Sequence, residues 1–338
     1  MRGNLLIGLL AGIVAAVVFI SATTGPLAMR VILFLLTPLP LFLSGFGWGW
    51  PTAVIGATAG SLFMSILTNF EIGAVFAISQ AIPSVILIYL VTLNRPAAAP
   101  GPDVDPQTCI EWYPVGRIVI WAAGISGAMA LAAMLMIASD IDSLRGEVRK
   151  LIDAVLKAQL EAMNGGTAMS EEDLGRLTEI GIYLLPAATA LSWMLTILLN
   201  LWLAAKITLA SGKLPRPWPD IPAMRFPRLT PLALAVSSAL TFVPGYVALG
   251  ASAVSGSLYF AYVLMGLAVI HYITRGQPWR PFALWMLYAA LFILNTGVSV
   301  IIALLGLADG FIPIRRPPAQ PPFGAPPASR RGPPPDET

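Results

Sequence analysis

The sequence predicts an all-α fold, a polytopic bundle of transmembrane helices, on three observations. Of 338 residues, 57% are hydrophobic and 11% charged, with a mean hydropathy of +0.78, whereas soluble domains hold about 25% charged residues. A chain of this size folded in water needs a polar shell; a bilayer accepts apolar side chains outward. The apolar residues gather in runs near the ~20 residues that carry a helix across the hydrocarbon. Of the 30 prolines, 21 fall in three segments, 94–116, 207–231 and 308–338, between or after those runs, where a missing amide donor costs least.

Nine spans follow. They are Leu5–Ala22, Val31–Gly49, Thr52–Thr68, Gly73–Leu93, Ile118–Ser139, Ile180–Ala205, Leu232–Leu249, Val254–Thr274 and Phe282–Leu307. The first is too long an apolar run for a cleavable signal, and Thr23-Thr24-Gly25-Pro26 reads as a turn. Thr37-Pro38-Leu39-Pro40 removes two donors inside the second span, so a re-entrant segment there would make the count eight. The chain divides into a four-span block (1–93), a Pro-rich loop (94–117), a fifth span (118–139), a charged insertion (140–179), a second four-span block (180–307) and a tail (308–338).

Residues 140–179 carry 14 of the 37 charges. Ile141, Leu144, Val148, Leu151, Ile152, Val155 and Leu156 recur at helical spacing among them, giving an amphipathic helix that ends at Gly165-Gly166. Ser170-Glu171-Glu172-Asp173 then reads as a capping box opening a second helix, which runs into the sixth span and protrudes from the bilayer. The pair forms a helical hairpin outside the membrane. The tail from Phe311, Pro-rich with paired arginines, is expected to be disordered. Basic residues divide ten to ten between the two sides. The dense run Lys206–Arg228 tips the N-terminus to the cytoplasm. Eight of the nine tryptophans fall on that same side, as an interfacial belt would.

The chemistry the sequence excludes is broad. One cysteine, Cys109, permits no internal disulfide, and one histidine, His271, leaves no Cys/His ligand set, so no metal or other cofactor is expected. No P-loop, G-x-S-x-G or H-E-x-x-H motif occurs. A net charge of +3, scattered through loops, does not make a nucleic-acid surface. The acidic pair Asp140 and Asp142 reads more simply as helix capping than as a cation site, since a second pair is missing. No catalytic residue is assigned.

Inside the spans, ionisable groups are nearly absent. Gln80, Thr196, Asn200, Thr241 and Asn295, with Ser192, Ser237 and Ser238, are the hydrogen-bonding groups that could line a pocket, beside Trp193 at a bilayer centre; such groups also simply join helices. Gly8-x-x-x-Gly12, Ala11-x-x-x-Ala15 and Gly56-x-x-x-Gly60 give small faces for close helix packing.

The run Ser257–Gly276, the Thr37-Pro-Leu-Pro segment and Arg225-Phe-Pro-Arg-Leu-Thr-Pro resemble the YybS-like family of predicted bacterial membrane proteins, a family of unknown function. That family is loosely similar to the substrate-binding components of energy-coupling-factor vitamin transporters, whose first helix docks a coupling subunit through small residues. Ala11 and Ala15 fit that pattern. The resemblance implies no ligand residues. The expectation is a bacterial inner-membrane protein that binds or helps move a small molecule, with partner membrane subunits supplying any energy. The alternative is a scaffold using the 140–179 hairpin and the tail as partner surfaces.

Overall fold

The computed structural model describes residues 2–96, 110–137, 140–162, 170–294, 296–312 and 314–315. The elements are helical apart from one small antiparallel ribbon. The N-terminal block holds α1 (Arg2–Ser21), α2 (Leu27–Leu36), α3 (Leu39–Trp48), α4 (Trp50–Leu67), α5 (Phe70–Phe76), a π-helical turn (Ala77–Ala81) and α6 (Ile82–Thr92). Strands β1 (Asn94–Pro96) and β2 (Ile110–Trp112) pair across the Pro-rich loop. There follow α7 (Val115–Ile137), α8 (Ile141–Ala162), α9 (Glu171–Ala210), a 3-10 turn (Ile221–Ala223), α10 (Thr230–Leu240), α11 (Tyr246–Ile273), α12 (Arg280–Leu294) and α13 (Thr296–Ala308).

Among the described residues, seven helical segments are long and apolar enough to cross a membrane, and three shorter apolar helices (Thr230–Leu240, Arg280–Leu294 and Gly297–Ala308) accompany them. The expectation of nine full spans is corrected at one place. The expected span Leu232–Leu249 stops at Leu240, and the turn through Pro244 and Gly245 (φ +88°) starts α11 at Tyr246; an eleven-residue helix rises only ~16 Å. The expected span Phe282–Leu307 is helical on both sides of Asn295, in α12 and α13, and Asn295 itself lies outside the described residues. In the second span, Pro38 and Pro40 separate α2 from α3, yet Leu27–Trp48 together has spanning length. In the fourth, Pro83 lacks the amide that would bond the Ser79 carbonyl, and the helix widens into the π turn one position before it.

The small faces on α1 and α4 meet each other. A Cβ on Gly12 would lie 2.1 Å from the Gly56 carbonyl oxygen, and one on Gly60 would lie 2.7 Å from the Gly12 oxygen. The two backbones are therefore in contact. Ala15 is fully buried with Leu41, Met64 and Phe76. It lies inside this chain's own packing rather than on a docking surface, and Ala11 on the same helix is partly buried.

Helix α9 has 40 residues, ~60 Å at 1.5 Å per residue, about twice the ~30 Å hydrocarbon thickness. It passes Pro186 without interruption; Ser252 of α11 donates to the Tyr183 carbonyl in the turn that the proline weakens. Its first turns are capped by Ser170, whose Oγ accepts from the Asp173 amide at 3.2 Å. Against them lies α8. Its Leu144, Val148 and Ile152 pack on Ile182 and Leu185 of α9 and on Met134 of α7, and Arg145 and Arg149 pair with Glu179 and Glu171. Gly165-Gly166 and the tail beyond residue 315 lie outside the described residues. The largest core joins α3, α6, α7, α9, α11 and α13 around Phe46, Leu87, Ala122, Met194 and Tyr262.

Candidate functional site

A cavity of about 630 Å³ sits between α7, α9 and α11, at the end where α7 begins and α9 and α11 finish. Its walls come from residues distant in the chain: Val115 and Val119 of α7, Leu198 and Ala205 of α9, Leu264 of α11. The aliphatic residues follow from the spacing of each helix, which turns one stripe inward. The loop after α9 covers the end, contributing Leu214, Arg216, Trp218 and Met224, and Tyr288 of α12 closes one side. Such a size and such an apolar lining are those of a small-molecule pocket.

The loop is held by ion pairs. Arg275, just beyond α11, grips both carboxylate oxygens of Asp220, with Nη1 to Oδ2 at 2.9 Å. That pairing pushes the Asp220 pKa down, helped by the backbone bond from Ala223, and raises that of Arg275. The stabilisation is complete above the ordinary carboxylate range and is lost as pH falls through the lowered Asp220 value. The pair is half exposed, so its worth is small. Asp220→Asn at neutral pH should accelerate amide hydrogen exchange in 214–224 and leave the transmembrane helices protected; unchanged exchange in the loop would show that the pair does not hold it.

Behind the loop, Arg315 is 2% exposed. Its Nη1 donates to the carbonyls of Pro222 and Met224 at 2.7 and 2.8 Å, and its Nε to Asp309 Oδ1 at 3.1 Å. Arg225 donates to the Arg315 carbonyl at 3.3 Å. At Ile314 and Arg315 the chain therefore departs from the solvated tail that the sequence suggests.

One cation, Arg216, stands in the cavity lining among the described residues. Arg216 is half-buried; its Nη1 makes long contacts of 3.3 and 3.4 Å to the Val91 and Tyr113 carbonyls, and its Nε has no partner. Burial lowers its pKa from the usual arginine value, and a guanidinium still stays charged. Lys206 Nζ lies 4.0 Å from the Trp218 ring centroid, and Lys213 Nζ 4.3 Å from that of Trp48. His271 Nδ1 bonds the Leu267 carbonyl at 2.9 Å, which puts the proton on that nitrogen, so Nε2 accepts from the Tyr288 hydroxyl at 3.3 Å.

The residues singled out from sequence lie elsewhere. Thr196 and Ser192 border a smaller pocket of about 430 Å³ with Arg30, Phe34 and Leu35. Asn200, one turn on, donates to the Leu35 and Thr196 carbonyls, the latter at 2.7 Å, and its Oδ1 is buried without a partner. Trp193 packs beside Ala130, Ala190 and Ala253, with its indole N-H unpartnered. Gln80 is buried in the π turn with a free Nε2. Thr241 closes α10 by donating to the Ser238 carbonyl at 2.6 Å, and Asn295 lies outside the described residues. The structure thus brings Ser192, Thr196 and Asn200 together on one face of α9 and sets Gln80 and Thr241 on other helices. None of the described five lines the larger cavity. Asp140 accepts from the Ser143 amide at 2.7 Å, and Asp142 pairs with Arg145. Among the described residues, no group of three or more His, Cys, Asp or Glu could hold a metal ion.

What the sequence left unmarked is Arg216. The one available signal is its place in Pro215-Arg216-Pro217-Trp218, a rigid, aromatic-flanked cation in the short basic loop. A family described as "predicted membrane protein (DUF2232)" matches residues 12–310. No curated protein and no solved structure matches the chain.

Proposed function

The chain belongs to the DUF2232 family of predicted membrane proteins, and on that premise we propose that it is a membrane-embedded binding component for a small, largely apolar molecule. The cavity of about 630 Å³ between α7, α9 and α11 carries this reading. Apolar walls gain by excluding water and so favour a hydrocarbon occupant. The proposal places the protein in a bacterial inner membrane. Partner membrane subunits supply the energy for any movement of the molecule, because the sequence has no P-loop. The resemblance to YybS-like proteins and to vitamin-transporter binding components belongs to this reading as an analogy of role, without shared ligand residues.

The scaffold alternative loses part of its basis. The stripe Leu144, Val148 and Ile152, which would have met a partner, is turned onto α7 and α9.

The test is thermal unfolding of the full chain in detergent, with dodecanol as probe. A ligand that binds only the folded state raises the melting temperature in proportion to its occupancy. Dodecanol is expected to raise that of the wild type and to leave Ala205→Phe, which fills the cavity, unmoved. Equal shifts in both proteins, or none in the wild type, would remove the cavity as a binding site.

A further inference from the structure

We propose that the cavity is the site of an anionic amphiphile, a single hydrocarbon chain lying between α7, α9 and α11 with a phosphate or carboxylate head at Arg216. This rests on the binding reading above and adds the chemistry of the ligand's head. The first ground is charge without a counter-charge. The buried Arg315 has its acid in Asp309, and the more exposed Arg275 and Arg95 pair with Asp220 and Glu111. Arg216 has none among the described residues. It lines the cavity, is half removed from water, and keeps its Nε without a partner. A guanidinium cannot shed its charge to relieve such burial. An anion brought to it would supply charge-assisted bonds, and the planar fork suits phosphate and carboxylate oxygens.

The second ground is the company it keeps. Lys206 and Lys213, the cations nearest in the chain to this mouth, lie against indole faces and also have no carboxylate partner among the described residues. Arg216, with Trp202 and Trp218, therefore borders a cavity whose remaining wall is mostly apolar, and Lys206 lies over the outer Trp218 ring. A wholly apolar ligand would leave the cationic end unanswered. A free polar anion would leave the aliphatic wall unused. A molecule with one chain and one acidic head satisfies both. The bland account is that Arg216 only closes the end of α6 by holding the Val91 carbonyl. Those bonds are long, and the guanidinium carbon lies 5.6 Å from the Trp112 ring centroid, yet Nε keeps no hydrogen-bond partner, and the experiment separates the two accounts.

The experiment uses the intact chain in nanodiscs of zwitterionic lipid and measures binding of three probes: dodecyl phosphate, dodecanol and inorganic phosphate. Dodecyl phosphate should bind the wild type about tenfold or more tightly than dodecanol, the difference a charge-assisted hydrogen bond supplies. Inorganic phosphate should show no saturable binding. In Arg216→Gln the preference for dodecyl phosphate should fall to near unity while dodecanol binding persists. Laurate in place of dodecyl phosphate distinguishes the two head groups. Equal wild-type affinities for dodecyl phosphate and dodecanol would overturn the anionic head and leave the cavity standing. Binding of both chain-bearing ligands left unaltered by Ala205→Phe would overturn the cavity itself. Saturable inorganic phosphate binding as tight as that of dodecyl phosphate would reduce the site to a plain anion site. The comparison of heads is made on the wild type, so it holds even where Arg216→Gln fails to fold.

Discussion

Gly266→Leu is expected to abolish the folded state, with little monodisperse protein recovered in detergent. A Cβ on Gly266 would sit 1.9 Å from the Ile302 carbonyl oxygen and 2.7 Å from its carbon. Reciprocally, a Cβ on Gly306 would sit 2.4 Å from the Tyr262 oxygen. Helices α11 and α13 thus touch backbone to backbone, and no side chain can swing aside. Ordinary overpacking of a core costs about 1–3 kcal/mol and sometimes more; here α13 must leave α11 altogether, so the loss lies at or beyond the upper end. Gly124→Leu on α7, where nothing stands within 4 Å, is the control and should melt as the wild type does. Size-exclusion profiles of the two variants after stepwise heating decide the matter, and a wild-type profile for Gly266→Leu would show that the contact is not made.

The second large effect is expected at the pair Asp309 and Arg315, which are 5% and 2% exposed. Removing one member of a buried ion pair costs about 3–5 kcal/mol, because the other charge stays behind without a partner. Arg315→Met also frees the carbonyls of Pro222 and Met224, which are part of the loop beneath the cavity. Its destabilisation should therefore exceed that of Asp309→Asn. The double variant Asp309→Asn with Arg315→Met should lose less than the two single losses added together. Additive losses would mean that the two side chains do not act as a pair.

Hydropathy made the membrane class and most helix positions legible, since each crossing helix must satisfy its own amides and turn apolar side chains to lipid. It could not place the breaks. Thr241–Gly245 sits inside a run whose average hydropathy stays high, and only the turn geometry at Gly245 reveals the break. Aliphatic residues posed a second difficulty: a leucine that faces lipid, core or cavity is the same letter. Leu264 lines the cavity and Leu232 lies 60% exposed, and nothing in either neighbourhood separates them. Small residues marked α1 and α4 as packing helices without naming the partner. The stretch to Arg315 was masked by its prolines, which outweighed the acid six residues earlier. Polar residues within spans drew attention because they are rare there, yet the cation that borders the larger cavity belongs to a loop.

The widened turn at Ala77–Ala81 has a bearing on how this bundle is put together. A helix with one surplus residue in a single turn is rotated by roughly 100° downstream of that point relative to a regular one. Phe76 therefore answers to one set of neighbours, and Leu87, Ile88 and Val91 to another. The rod behaves as two phased halves, and its far half owes its bearing, Val91 on the cavity wall included, to a single out-of-step peptide.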